Sequence, residues 1–354
     1  MQFRPNRLTP SERMEAIMAR RKPDRVPFIP FVSGFCARNV GYPVSVIYED
    51  AEKSFWSQVW TRNQYDYDGG PFYGYASYGG WEFGGDIKFP RSEWEQAPVV
   101  TRFPVQTEED VWNLKPPDVK TAGCHPIVME FSKLQAKMGV AVIGIFEGAF
   151  LTAGNICEVD RLCKWMIKKP EVAHHLLRVV TDFLIQTAHY WVKTFGAEKI
   201  LAFTCEATAS NQLISPKQFE KFVLPYHKEL HESILDMGIK HIFCHICGEQ
   251  NLNLPHWAKI PMGDPGIVSF GHEVDLETAG KYFPNDIIAG NIEPAIIQNG
   301  TADQVYDLCR IAMEKGRKCP GGYVLMGGCE VPVMAPPYNI WIMRKAINDF
   351  GWYE

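Results

Sequence analysis

No stretch of this chain is apolar for long enough to cross a membrane, because the longest candidate, from Gly139 to Gly154, is interrupted by Glu147. The opening residues, MQFRPNRLTPSERMEAIMARRK, lack the apolar centre of an export signal. Both absences lead us to expect a cytoplasmic protein with no membrane contact. An excess of positive charge is also missing: the formal net charge is -5, and no Lys/Arg cluster overrides it. That excludes the electrostatic footprint of a nucleic-acid binder. The ten cysteines of this 354-residue chain have neither the dense spacing of a small disulfide framework nor paired C-x-x-C knuckles. They are expected to be reduced thiols, free for metal binding or chemistry. With 46% hydrophobic and 22% charged residues, the chain can bury the core of one large α/β barrel or of two smaller domains.

Short apolar runs alternate with longer segments of helical period, the pattern of βα units on a parallel sheet. Strands are expected at 26–31, 140–146, 199–204, 240–244, 267–270, 287–289 and 323–326. An eighth is hidden in the Gly-rich, aromatic stretch from 61 to 95. Helices are expected from a cap at Thr9 or Ser11, from Thr107, over 126–138, 158–168 and 170–195, from Ser215-Pro216 to Gly238, and from Thr301 to Gly316. Residues 32–41 read as a loop. The aromatic stretch reads either as a lid laying ring faces over a ligand or as an excursion whose rings pack on the barrel. The fold class expected is α/β: a single (β/α)₈ TIM-barrel domain over 1–354 with an N-terminal helical extension and a long aromatic, Gly-rich loop.

In such a barrel the active site is built at the C-terminal ends of the strands. Glu147, Glu206, His245, Cys247, Asn291, Glu293 and Cys329 all fall at such ends. His245 and Cys247, at i and i+2, leave an extended chain on one face, and imidazole with thiolate suits zinc. Cys329 supplies a third ligand, and three protein ligands leave the open position of a catalytic zinc site. The competing reading makes the cysteines small buried hydrophobes and His245 a satisfied core histidine. Glu147, Glu206 and Glu293 are candidates for a departing fourth ligand or for proton donor and acceptor; otherwise they cap the following helices. His241 is expected to be structural.

The order of landmarks resembles the uroporphyrinogen decarboxylase superfamily over nearly the whole chain. Pro23-Asp24-Arg25-Val26-Pro27 comes early, and Leu213-Ile214-Ser215-Pro216 with Leu224-Pro225-Tyr226 midway. Later come His245-Ile246-Cys247-Gly248, Gly290-Asn291-Ile292-Glu293-Pro294 and Gly328-Cys329-Glu330-Val331-Pro332. Within that group, the H-x-C with a distant Cys resembles the zinc-dependent methyltransferase branch, which includes methylcobamide:coenzyme M methyltransferases and related demethylases. The resemblance implies methyl transfer between a corrinoid (methylcobalamin) and a small methylated substrate, a thiol or tetrahydrofolate. Zinc would sit on His245, Cys247 and Cys329, and Asn291 would contact the cofactor. No D-x-H-x-x-G cobalamin signature is present, so the corrinoid would arrive on a partner protein; a homo-oligomer is compatible with this. The decarboxylase branch carries an arginine-rich loop after its first strand, whereas Ser33–Asn39 holds only Arg38. A substrate with many carboxylates would want several guanidiniums. A lyase acting without metal on another carboxylated substrate, with Arg38 and Arg62 receiving one anionic group, is the second reading. A barrel that only binds a ligand or partner is the third.

Overall fold

The computed structural model describes residues 3–353. Nine strands occur in chain order: β1 (Phe28–Ile29), β2 (Asp86–Lys88), β3 (Val99–Arg102), β4 (Val142–Ile145), β5 (Ile200–Cys205), β6 (Ile242–Ile246), β7 (Ile267–Phe270), β8 (Ile287–Ile292) and β9 (Tyr323–Gly327). Seven form one parallel sheet in the order β1-β9-β8-β7-β6-β5-β4; β2 and β3 form a separate antiparallel pair. In a flat sheet, β1 and β6 would stand about 19 Å apart, four strand spacings. Yet the ring of Phe31, just past β1, lies 5.1 Å from that of His245 on β6. The sheet therefore curls into a barrel.

The eighth place, between β1 and β4, is taken by extended chain around residues 67–72 that is not a regular strand. The Asp68 N–H donates to the Phe28 carbonyl at 2.7 Å. On the other side, buried Gln135 donates to the Pro71 carbonyl at 2.8 Å and accepts from the Ile143 N–H of β4 at 3.3 Å. A side-chain amide thus replaces a ladder that Pro71, lacking an N–H, could not complete.

Alternation along each strand sends one set of side chains inward. Ile267, Ile287, Ala289, Val324 and Met326 form the barrel interior, and Ile17 from the N-terminal helix Pro10–Met18 packs onto them with Met14 and Met18. This helix, capped by Thr9, plugs the end of the barrel opposite the strands' C-terminal ends. The outward-facing set packs against the surrounding helices in the larger core. No helix among the described residues is long and apolar enough to cross a membrane.

Several expectations are corrected. Residues 34–39 form a short helix where a loop was expected. The segment after Ser215 is two helices, Pro216–Phe222 and Leu224–Asp236, because Pro225 cannot continue the hydrogen-bond ladder of the first. A helix at Ala149–Cys157 stands between the strand expected at 140–146 and the helix expected from 158, where no element was expected. In the aromatic stretch, Tyr65, Tyr67, Tyr73, Tyr75 and Tyr78 are buried, so these rings pack on the barrel and are not displayed over a ligand. Trp94 is the exception, at 74% exposed.

Candidate metal centre at the barrel mouth

His245 points inward from β6, and Cys247 follows the strand's last residue. Gly248 then turns the chain at φ +78°, where a side chain would be strained and its Cβ would press on Ser210. Cys329 follows β9, three strands away in the sheet, and reaches the same place because the barrel curls. Gly328 makes that approach possible, since a Cβ there would lie 2.9 Å from the His272 nitrogen and against the Gly271 backbone. One ligand atom from each of His245, Cys247 and Cys329 lies within 4.8 Å of the others.

The electrostatics of the three suit a soft cation. His245 Nδ1 is 2.7 Å from Ser269 Oγ, while its Nε2 is buried with no hydrogen-bond partner. A buried ring nitrogen with nothing to bond is costly. With Nδ1 held by Ser269, the unpaired Nε2 is the ligating atom, the outer-shell arrangement that metal-binding histidines use. The neighbouring Cys329 and burial push the Cys247 thiol up, while Cys247 and His245 hold the Cys329 thiol down, at about 4, so the pair favours a thiolate at Cys329. One nitrogen and two sulfurs fit zinc by donor type.

Two carboxylates follow the adjoining strands β4 and β5. Glu147, just past β4, is 3% exposed and adopts φ +38°, a conformation costing a non-glycine residue roughly 1–2 kcal/mol. Burial, reinforced by Glu206 and Glu82, pushes its carboxyl well above the ordinary range. Glu206, just past β5, is fully buried, and its Oε2 accepts from the Phe150 N–H at 3.1 Å. Burial raises it to about 8, against the lowering effect of the Phe150 and Leu151 N–H groups. Glu206 thus caps helix Ala149–Cys157, which precedes its strand, and not the following helix as expected, while its Oε1 has no hydrogen-bond partner. Gly148 lets it in, since a Cβ there would lie 2.3 Å from Glu206 Oε2.

The other expected residues stand further back. Asn291 donates to the Gly271 and Val274 carbonyls at 3.3 and 2.7 Å, which fixes the loop after β7 and leaves only its Oδ1 for a cofactor. Glu293 occupies the N-cap position of helix Pro294–Asn299 without a side-chain cap bond and is not part of the His–Cys–Cys group. His241 bonds the Pro265 carbonyl through Nδ1 at 2.8 Å, a structural role. Arg38 donates to the Val333 carbonyl and Arg62 to the Tyr67 carbonyl, so both are tied to backbone.

Three contributors escaped the sequence reading. Ser269 was detectable only as the lone polar residue in the inward register of β7. Glu82 accepts from the Tyr75 hydroxyl and the Gly79 N–H, each at 2.6 Å, and its like charge helps hold the Glu147 proton. Glu330, beside Cys329, is bonded by the Ser33 hydroxyl and by the Gly34 N–H at 3.1 Å, which ties the Cys329 loop to helix Gly34–Asn39.

A parallel barrel carrying an imidazole and two thiols at its C-terminal mouth has the layout of a metal-dependent barrel enzyme. The chain belongs to the uroporphyrinogen decarboxylase (URO-D) family, whose pattern matches residues 9–350. Among curated relatives, it is 29% identical over 273 residues to the methylcobamide:CoM methyltransferase MtbA of Methanosarcina acetivorans, covering 76% of each chain. It is 28% identical over 267 residues to a methylated-thiol–coenzyme M methyltransferase of Methanosarcina mazei, covering 73% of this chain and 67% of that one. A solved methyltransferase from Methanosarcina mazei superposes with a TM-score of 0.80 at 21% identity over 97% of this chain and 99% of that chain, which supports the fold.

Proposed function

We propose that this protein is a zinc-dependent methyltransferase. It moves a methyl group between a corrinoid carried by a separate protein and a small methylated substrate, a thiol or tetrahydrofolate. The observation that carries this reading is the unpaired, buried Nε2 of His245 grouped with the thiols of Cys247 and Cys329 at the barrel mouth. The names of the relatives supply the corrinoid. His245, Cys247 and Cys329 would hold the zinc. When bound, zinc supplies Lewis acidity that lowers the pKa of a coordinated thiol or polarises a leaving atom.

The chain's own residues do the rest. Ser269 and the edge of Phe31 orient the His245 ring. Phe31 itself holds a left-handed backbone, φ +57°, so the ring's place is imposed by its surroundings. Burial holds the Glu147 carboxyl well above the ordinary carboxylate range, which favours its protonated form, the form that can give a proton to a departing thiolate or alkoxide. The ten cysteines are all free, in keeping with work in the reducing cytoplasm.

A decarboxylase acting on a polycarboxylate is poorly served here, since residues 33–39 after the first strand hold a single arginine, Arg38. The deciding experiment incubates the protein with methylcobalamin and a panel of thiols or tetrahydrofolate, and with cob(I)alamin and methylated donors. A zinc-dependent change in corrinoid absorbance is expected. Metal-independent carboxylate loss from uroporphyrinogen, with no corrinoid change across the panel, would hand the function to the decarboxylase reading.

A further inference from the structure

Strand β6 presents ligand-type side chains on both faces. Inward His245 belongs to the mouth, and its neighbour Cys244 points outward into the layer between sheet and helices. There it meets His227 and His231, at i and i+4 on one face of helix Leu224–Asp236. All three residues are 0% exposed, and one ligand atom from each lies within 4.8 Å of the others. Apolar residues such as Leu230, Ile234 and Trp257 fill the rest of this layer. Two imidazoles and a thiol are therefore the exception that needs a reason.

Hydrogen bonding accounts for only one of the histidines. His231 Nδ1 lies 2.8 Å from the Pro261 carbonyl and so carries its proton there, which leaves Nε2 as a lone pair 3.0 Å from Thr204 Oγ1. His227 is not satisfied: its Nε2 has only the Cys244 sulfur at 3.8 Å, and its Nδ1 has no hydrogen-bond partner. The Glu206 carboxyl stands on that side, with Oε2 3.9 Å from Nδ1, beyond hydrogen-bond distance. His231 thus turns Nδ1 to an outer carbonyl and Nε2 toward the shared centre, and His227 turns Nε2 toward the Cys244 sulfur with Nδ1 left unpaired on the outer side. Metal-ligating histidines are oriented in this way. Burial also holds both imidazoles below their ordinary pKa, in the neutral form that ligates.

We propose that His227, His231 and Cys244 bind a second zinc-class cation, a structural site separate from the barrel mouth. The Cys244 S–H bond gives way to a metal–sulfur bond, and the proton leaves to solvent as the chain folds, since the finished site is closed. Thr204 Oγ1, 3.0 Å from His231 Nε2, offers an oxygen for a fourth position. Bound there, the ion pins helix Leu224–Asp236 to β6, the strand that carries His245 and leads to Cys247.

The test uses the full chain, expressed with zinc in the medium, desalted and assayed for metal. Wild type should hold two zinc ions per chain, and the Cys247→Ser/Cys329→Ser variant should retain one. X-ray absorption of that retained ion should show two nitrogens and one sulfur. Cys244→Ala and His231→Gln should each lower wild type from two to one. One zinc in wild type that vanishes entirely in Cys247→Ser/Cys329→Ser would overturn the proposal, as would two zinc ions that survive Cys244→Ala. A single zinc that survives Cys247→Ser/Cys329→Ser but is lost in Cys244→Ala would sink the mouth site and leave this one standing. Should Cys244→Ala fail to fold, the zinc stoichiometry of wild type, His231→Gln and Cys247→Ser/Cys329→Ser, with the sulfur count of the last, decides.

Discussion

His245 Nδ1 and Ser269 Oγ lie 2.7 Å apart on adjacent, inward-facing positions of β6 and β7, and this bond decides which nitrogen of His245 faces the two thiols. Removing such an outer partner usually costs about 10–100-fold in metal affinity. Ser269→Ala should therefore weaken zinc at the mouth by about that factor while the fold persists. Competition with a chelator of known affinity measures it; unchanged affinity would mean that Phe31 alone holds the ring.

Cys247→Ser and Cys329→Ser should each lose the mouth zinc and lower the rate of corrinoid demethylation by about 100-fold or more, since the Lewis acid supplies several kcal/mol of barrier reduction. Far-UV circular dichroism should remain that of wild type, because the barrel is held by its apolar core and not by these loops. A variant that keeps both zinc and rate contradicts the assignment.

Much of the architecture was legible because a buried parallel strand announces itself as a short apolar run, as Ile267–Phe270 does, and because caps such as Thr301 and Ser215 mark where helices begin. The metal candidates were legible from the i, i+2 spacing of His245 and Cys247, and Cys329 from its place after the last strand. What was not legible was non-local. Nothing near Gln135 shows that it substitutes for a strand pairing, and nothing near His227 shows that Cys244 faces it from another element. The break before Pro225 is local, since a proline there cannot continue the preceding helix.

We propose that a single barrel domain spans residues 1–354, and limited proteolysis tests it. The first cuts should fall around Arg91 to Trp94, in an irregular stretch whose tryptophan is 74% exposed, and should leave the pieces associated. Two stable fragments dividing near residue 150 or 200 would mean two domains.

Gln135→Ala should destabilise the protein by about 2–4 kcal/mol. It removes two buried bonds, to Pro71 and Ile143, and leaves both backbone groups unpaired. Chemical denaturation should show a lower midpoint with little change in slope. A near-neutral result would mean that the chain between β1 and β4 is held by ring contacts such as Phe72 with Phe203, whose centroids are 4.6 Å apart.

The carboxyl of Glu206 makes stability depend on pH in a direction opposite to that of an ion-paired acid. Burial raises it from an ordinary value of 4.5 to about 8 in the folded protein. Below pH about 4.5 both states carry the proton, so its contribution is fully present. Between about 4.5 and 8, the unfolded chain releases a proton that the folded protein keeps, and stability falls as pH rises. One such proton sets a slope of at most about 1.4 kcal/mol per pH unit. Glu206→Gln keeps a side-chain oxygen for the Phe150 N–H and has nothing to titrate, so it should flatten the decline and be more stable than wild type toward pH 8. Denaturation midpoints taken across this range for both proteins give the answer: parallel curves would show that the proton lost on unfolding comes from another group, with buried Glu147 the first to examine.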